Sequence, residues 1–208
     1  MDELLSNLRF NLEKLYLKNS RTLQFHGWSH IQFVSENAAE FAKSVGANVF
    51  LTQSAALVHD LNYIVKANSE ASKGAGLREQ VLTQSGYSKE EITKIEKIIV
   101  ESDNQTRDET ISLEAKCLSD GDNAFKALPI TPLMTGIYLS ETKASLKDLA
   151  IKIVSEQKPL FDRGIYFYTD QAKSLYLEGA TVNLKLWELI SRSLEDPKIK
   201  TLTDAIFK

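Results

Sequence analysis

The sequence predicts an all-α, single-domain helical bundle. Apolar residues recur at spacings of three and four almost throughout, no convincing alternating stretch appears, and only 4 prolines and 9 glycines interrupt 208 residues. A chain of this length holds one core of ordinary size, here read as a single domain over 1–208. Its 43% apolar and 25% charged residues are globular values, which excludes collagen-like and disordered classes.

Leu4, Leu5, Leu8, Leu12 and Leu15 make one apolar stripe, so the chain opens with an amphipathic helix. That helix packs either on its own domain or on a copy of itself, the second case being a homodimer. A second helix over about 29–44 carries Ile31, Val34, Ala38 and Phe41 and ends before Gly46, a left-handed cap. A third, over about 49–65, is apolar through Leu51, Ala55, Ala56, Val58 and Leu61 and is read as deeply buried. The stretch NSEASKGAG reads as a loop, followed by a short helix from Leu77 to Gly86. Ser88 with Glu91 is a capping box that opens a helix striped by Ile92, Ile95, Ile98 and Ile99. Ser112 starts another helical run, which Pro129 and Pro132 end after Leu128. Helices over about 141–157 and 170–195 complete the pattern, with Tyr166-Phe167-Tyr168 as the one short candidate strand.

Charge and composition narrow the function classes. Lys and Arg total 25 against 28 Asp and Glu, a formal charge of −3, so no basic field is present to hold a nucleic-acid polymer. The single cysteine, Cys117, forms no internal disulfide and reads as a small buried hydrophobe. The start, MDELLSNLRF, lacks the form of a secretion signal, and no run approaches 18 uncharged apolar residues. A soluble cytoplasmic protein without a membrane partner is the expectation. No P-loop or dinucleotide-binding glycine motif is present.

The three histidines, His26, His30 and His59, all fall within 34 residues. His59 is followed at once by Asp60, at the end of the apolar run AALVHDL. Buried imidazole and carboxylate need compensation, because an isolated charge in a low dielectric is very costly, and a divalent cation supplies it. Nitrogen and oxygen donors of this kind suit borderline ions. His30, on the polar edge of the second helix, is the natural third ligand. The segment CLSDGDNAF offers Asp120 and Asp122 in a stretch that otherwise reads as buried, and one of them is expected to touch the metal.

These residues resemble the HD-domain superfamily of metal-dependent phosphohydrolases, named for an adjacent His-Asp pair. The family pattern matches His30, then His59-Asp60, then Asp122 in the acidic-small-Asp triplet, which favours Asp122 over Asp120. The resemblance covers about residues 20–180 and is carried mainly by FHGWSHIQFVSENAAEFAKSVGANVFLTQSAALVHDL and ISLEAKCLSDGDNAFKAL. It implies a helical bundle of the HD type, one divalent ion (Mn, Fe, Co, Ni, Zn or Mg) held by His30, His59, Asp60 and Asp122, and hydrolysis of a small phosphorylated metabolite or nucleotide. Many small relatives carry further histidines in the segments that here read NSEASKGAG and IIVESD. Their absence implies one ion rather than two, unless Glu70, Glu101 or Asp103 substitutes. Asn123 stands where an arginine is frequent in the family.

In that reading the ion lowers the pKa of a bound water and offsets charge on a phosphoryl oxygen. Asp60 ligates and steers the water, Glu101 or Asp103 is general base or leaving-group acid, and Lys66 or Lys73 holds the phosphate. His26 and Asp120 are read as supporting the ligands from behind. Each has a plainer alternative: solvated surface cations for the two lysines, a solvated helix end for Glu101 and Asp103, a helix cap for Asp120. Two other functions stand beside the hydrolase. One is a non-catalytic or regulatory module on the same fold with a structural or absent metal. The other is an iron-dependent oxygenase, which the shortage of histidines disfavours.

Overall fold

In the computed structural model, which describes residues 2–206, the first apolar stripe becomes α1 (Asp2–Lys18), with Leu8, Leu12 and Tyr16 fully buried. It lies on α2 (Trp28–Val45), α3 (Val49–Val58) and α5 (Ala75–Gln84), so its apolar face is covered by its own domain. Gly46 closes α2 at φ 72°, donating its N–H to Ala42. Asn48 then caps α3 by accepting from the Leu51 amide at 3.0 Å. Both boundaries are local events, and both fall where the residue types place them.

The expected helix over 49–65 is broken. α3 ends at Val58, a tight turn holds His59–Leu61, and a single helical turn, α4 (Asn62–Val65), follows. Bonds from Leu61 N–H to Val58 and from Tyr63 N–H to Asp60, each spanning three residues, tighten the backbone where the His-Asp pair stands. The loop after it contains a short 3-10 turn, Ala71–Gly74, from which α5 continues directly. α6 (Lys89–Glu101) opens on the capping box: Ser88 Oγ accepts from the Glu91 amide, and Glu91 accepts from the Ser88 amide at 2.8 Å.

α7 (Leu113–Ala127) is buried along most of its length and packs against α2 and α3. Gly121 permits that approach: a Cβ there would lie 2.8 Å from the Val34 carbonyl oxygen and 3.0 Å from Ala38 Cβ. The contact brings His30 on α2 and Asp122 on α7 to the same junction. Replacing Gly121 with Ala forces two backbones apart, and unfolding melts are expected to show a loss of about 1–3 kcal/mol. Weaker uptake of added Mn²⁺ should accompany it, since Asp122 is the next residue.

The expected helix over 141–157 is replaced by two. α8 (Thr135–Thr142) follows a 3-10 turn at Thr131–Met134 and stops at Lys143, which takes the left-handed conformation at φ 59°. α9 (Leu146–Asp162) is capped by Ser145 and runs past Pro159, because Leu160 anchors the final turn in the core. Residues 166–168 form no strand. The Tyr166 carbonyl accepts instead from the Asn123 side chain at 2.7 Å, and no strand occurs among the described residues. α10 (Asp170–Ser193) closes the bundle on α7 and α9, and α11 (Pro197–Ile206) follows it. The architecture is an all-α, single-domain bundle. Among the described residues no helix is long and apolar enough to cross a membrane.

Candidate metal centre

Three elements supply the four expected ligands: α2 gives His30, the turn after α3 gives His59 and Asp60, and α7 gives Asp122. His30 Nε2 lies 3.2 Å from Asp60 Oδ2 and 4.0 Å from Asp122 Oδ1, and His59 Nε2 lies 3.3 Å from Asp60 Oδ2. Donor atoms of His30, His59 and Asp122 all stand within 4.8 Å of one another. Donors sharing one ion at about 2.1 Å stand roughly 3–4 Å apart, so these separations suit a single centre.

The hydrogen bonding points the same way. His59 Nδ1 bonds the Ala56 carbonyl at 2.8 Å, which fixes the ring and leaves Nε2 as the nitrogen aimed at the cluster. Nε2 of His59 and both ring nitrogens of His30 are buried without a hydrogen-bond partner. Buried polar atoms are rarely left so, and a divalent ion satisfies the two Nε2 atoms and the carboxylates together. The residues present fit such an ion.

Electrostatics hold the carboxylates ready. Burial works against the ionised form of Asp60, but His59 and the adjoining imidazole of His30 keep its carboxyl well below the usual carboxylate range. Burial likewise opposes ionisation of Asp122, and Lys126 followed by His59 outweighs it. Burial pulls His30 below its ordinary value, with Asp60 offsetting part of the effect. Burial pulls in the same direction on His59, yet Asp60, Asp122 and the Ala56 carbonyl together push it up to about 9.

His59 is therefore protonated at pH 7 in the metal-free protein, whereas a metal ligand must be neutral. The folded value stands above the ordinary 6.5, so the charged imidazole stabilises the metal-free fold fully below that pH, and the contribution is lost as pH rises through about 9. Metal uptake at pH 7 is expected to release about one proton, with apparent affinity rising about tenfold per pH unit up to that value. Titration calorimetry in buffers of different ionisation enthalpy measures both. Proton-independent binding would contradict the assignment of His59.

His59, Asp60 and Asp122 line a cavity of about 750 Å³, with His30 buried beside them. His26 stands in its wall, stacked on Tyr63 with ring centroids 3.7 Å apart, and its Nδ1 bonds Glu141 Oε1 at 2.5 Å. Glu141, on α8, is almost fully buried and also accepts the amides of Phe25 and His26 at 2.7 and 3.3 Å. Burial favours its neutral form, but the imidazole and these amides keep its carboxyl below the ordinary value. Lys126, one turn beyond Asp122, pairs with Asp122 Oδ2 at 2.5 Å and lines the cavity. Neither Glu141 nor Lys126 is singled out by the sequence pattern. A carboxylate inside TGIYLSET and a lysine four residues after a ligand were the signals available.

Several expected roles change. Lys66 and Lys73 are exposed and lie outside the cavity wall, which Lys126 lines instead. Glu101 accepts the Ser112 amide at 3.1 Å and the Ser112 hydroxyl at 2.5 Å, tying α6 to the start of α7 rather than facing the cavity. Asp103 reaches the cavity, but at an exposed rim, where its carboxylate accepts from the Gln105 amide at 2.8 Å. Asp120 supports no ligand. It accepts the Tyr168 and Thr169 amides and the Thr169 hydroxyl at 2.7–2.8 Å, fastening the start of α10, and burial pushes its carboxyl up to about 6 against those bonds. His26 holds a cavity wall beside His30, ring centroids 5.8 Å apart. Asn123 is buried against Tyr166 and contributes nothing to the cavity. Cys117 is fully buried, and burial pushes its thiol up to about 12, which suits no nucleophile.

No family model and no curated protein matches the chain. Among solved structures it is similar to a structural genomics crystal structure of a protein from Lactobacillus plantarum, with a TM-score of 0.66 and 22% identity over 89% of this chain and 95% of that one. That likeness shows a shared fold.

Proposed function

We propose that this protein is a divalent-metal-dependent phosphohydrolase of the HD-domain type, acting on a small phosphorylated metabolite or nucleotide. The observation that carries the reading is the convergence of donor atoms of His30, His59 and Asp122 within 4.8 Å of one another, with Asp60 Oδ2 against both Nε2 atoms, neither of which has a hydrogen-bond partner.

An ion held there supplies Lewis acidity: it makes water a nucleophile near neutral pH and offsets charge gathering on the phosphoryl oxygens. The chain's own groups do the rest. Asp60, kept ionised, accepts a hydrogen bond from the attacking water and aims it. Lys126, anchored on Asp122, places an ammonium where phosphoryl oxygens approach. His26 has Nδ1 committed to Glu141, which leaves Nε2 to hand a proton to the leaving oxygen as its bond to phosphorus breaks. Glu141 orients that ring and balances its charge, as a buried carboxylate does behind a catalytic imidazole.

Elemental analysis of the purified protein, with turnover of 4-nitrophenyl phosphate before and after chelation, tests the proposal. About one ion per chain, activity lost on chelation and regained with Mn²⁺, and a lowered Tm without metal are expected. A chelated protein of unchanged Tm, with no turnover of phosphate esters, would decide for the non-catalytic module.

A further inference from the structure

Charge is distributed unevenly over the cavity lining. In the His-Asp cluster, Asp60 and Asp122 are compensated by His59 and Lys126 even before an ion is counted. Arg78, also in the wall, brings no free charge, because its Nε and Nη2 are bound at 2.6 and 2.7 Å by Glu96. Beyond these groups the lining carries Glu70, Asp103 and Glu156, with Lys152 as the one further ammonium among the described residues. Glu156 accepts from the Gln105 side chain at 3.5 Å. Glu70 and Asp103 are exposed. Leu149, Ile153 and Trp187 add apolar lining.

A ligand whose one phosphate sits at the His-Asp cluster meets an ion and Lys126. A second anionic group elsewhere in the cavity meets more carboxylate than ammonium. We infer that the substrate is a phosphate monoester of a neutral or amine-bearing alcohol, and that the acidic lining discriminates against bisphosphates, polyphosphates and carboxylated phosphates. This rests on the hydrolase reading and specifies its substrate class.

Three alkyl esters that differ in the charge of the body test it on the Mn²⁺-loaded protein: phosphocholine, propyl phosphate and phosphoglycolate. The expected kcat/KM for phosphoglycolate is at least about fivefold below that for propyl phosphate, with phosphocholine equal or higher, since exposed charges act modestly through solvent. In the double variant Glu70→Gln, Glu156→Gln the ratio of propyl phosphate to phosphoglycolate should shrink toward one. Raising the ionic strength to about 0.5 M should narrow the ratio in the parent protein as well. Equal turnover of all three, or preference for phosphoglycolate, overturns the inference and leaves the hydrolase standing. Hydrolysis of none of the three by a protein that turns over 4-nitrophenyl phosphate overturns the inference alone, and absence of turnover on all four removes both.

Discussion

Replacing His59 with Ala is expected to strip the protein of its divalent ion and to lower kcat/KM on 4-nitrophenyl phosphate by more than about 100-fold. Losing a partner behind a metal ligand typically costs 10- to 100-fold, and losing the ligand itself should exceed that. The fold should survive, because His59 sits in the turn after α3, next to the cavity, rather than among the apolar side chains of the core. Metal content by elemental analysis and far-UV circular dichroism read the two effects separately. An Asp122→Asn variant supplies a second view, since it also frees Lys126 from its partner. Undiminished metal content in both variants would remove the proposed centre.

His26→Ala should behave differently. Its metal content is expected to stay at the parent level, while turnover of an alkyl phosphate falls by about 10² to 10⁴, the usual contribution of a positioned proton donor. The loss should be far smaller with 4-nitrophenyl phosphate, whose phenolate leaves without a proton. Glu141→Gln should show the same dependence on the leaving group in weaker form, because it turns and discharges the ring without removing it. Equal losses on both esters would mean that His26 shapes the wall by stacking on Tyr63 and moves no proton.

What could be read in advance and what could not follows from the range of each interaction. The capping box at Ser88, the cap at Ser112 and the left-handed stop at Gly46 depend on residues within four positions of one another, so their chemistry is written in the local text. The break at His59–Leu61 was not, because AALVHDL keeps helical spacing straight through it. The helix expected to end at about 157 runs on to Asp162, straight through Pro159, with Leu160 buried in its last turn. Glu101 was read as a site group from its place at a helix end, yet Ser112, eleven residues on, claims its carboxylate. Asp120 and Asp122 differ by two positions on one helix and therefore face different neighbours, the start of α10 for one and the cavity for the other.

By itself the sequence determined the helical class, most helix starts and, with the family resemblance that favoured Asp122 over Asp120, the identity of the residues gathered in the His-Asp cluster. Periodicity, caps and the rarity of histidine are properties of short stretches or of counts. The tertiary structure alone decided that Glu141 stands behind His26 at 115 residues' remove and that Lys126 leans on Asp122. It also decided that Lys66, Lys73 and Glu101 are turned elsewhere. The physical reason is that a side chain's role is set by which charges and donors share its low-dielectric surroundings. Packing between distant helices makes those surroundings, through contacts such as Gly121 against Val34 that no local pattern encodes.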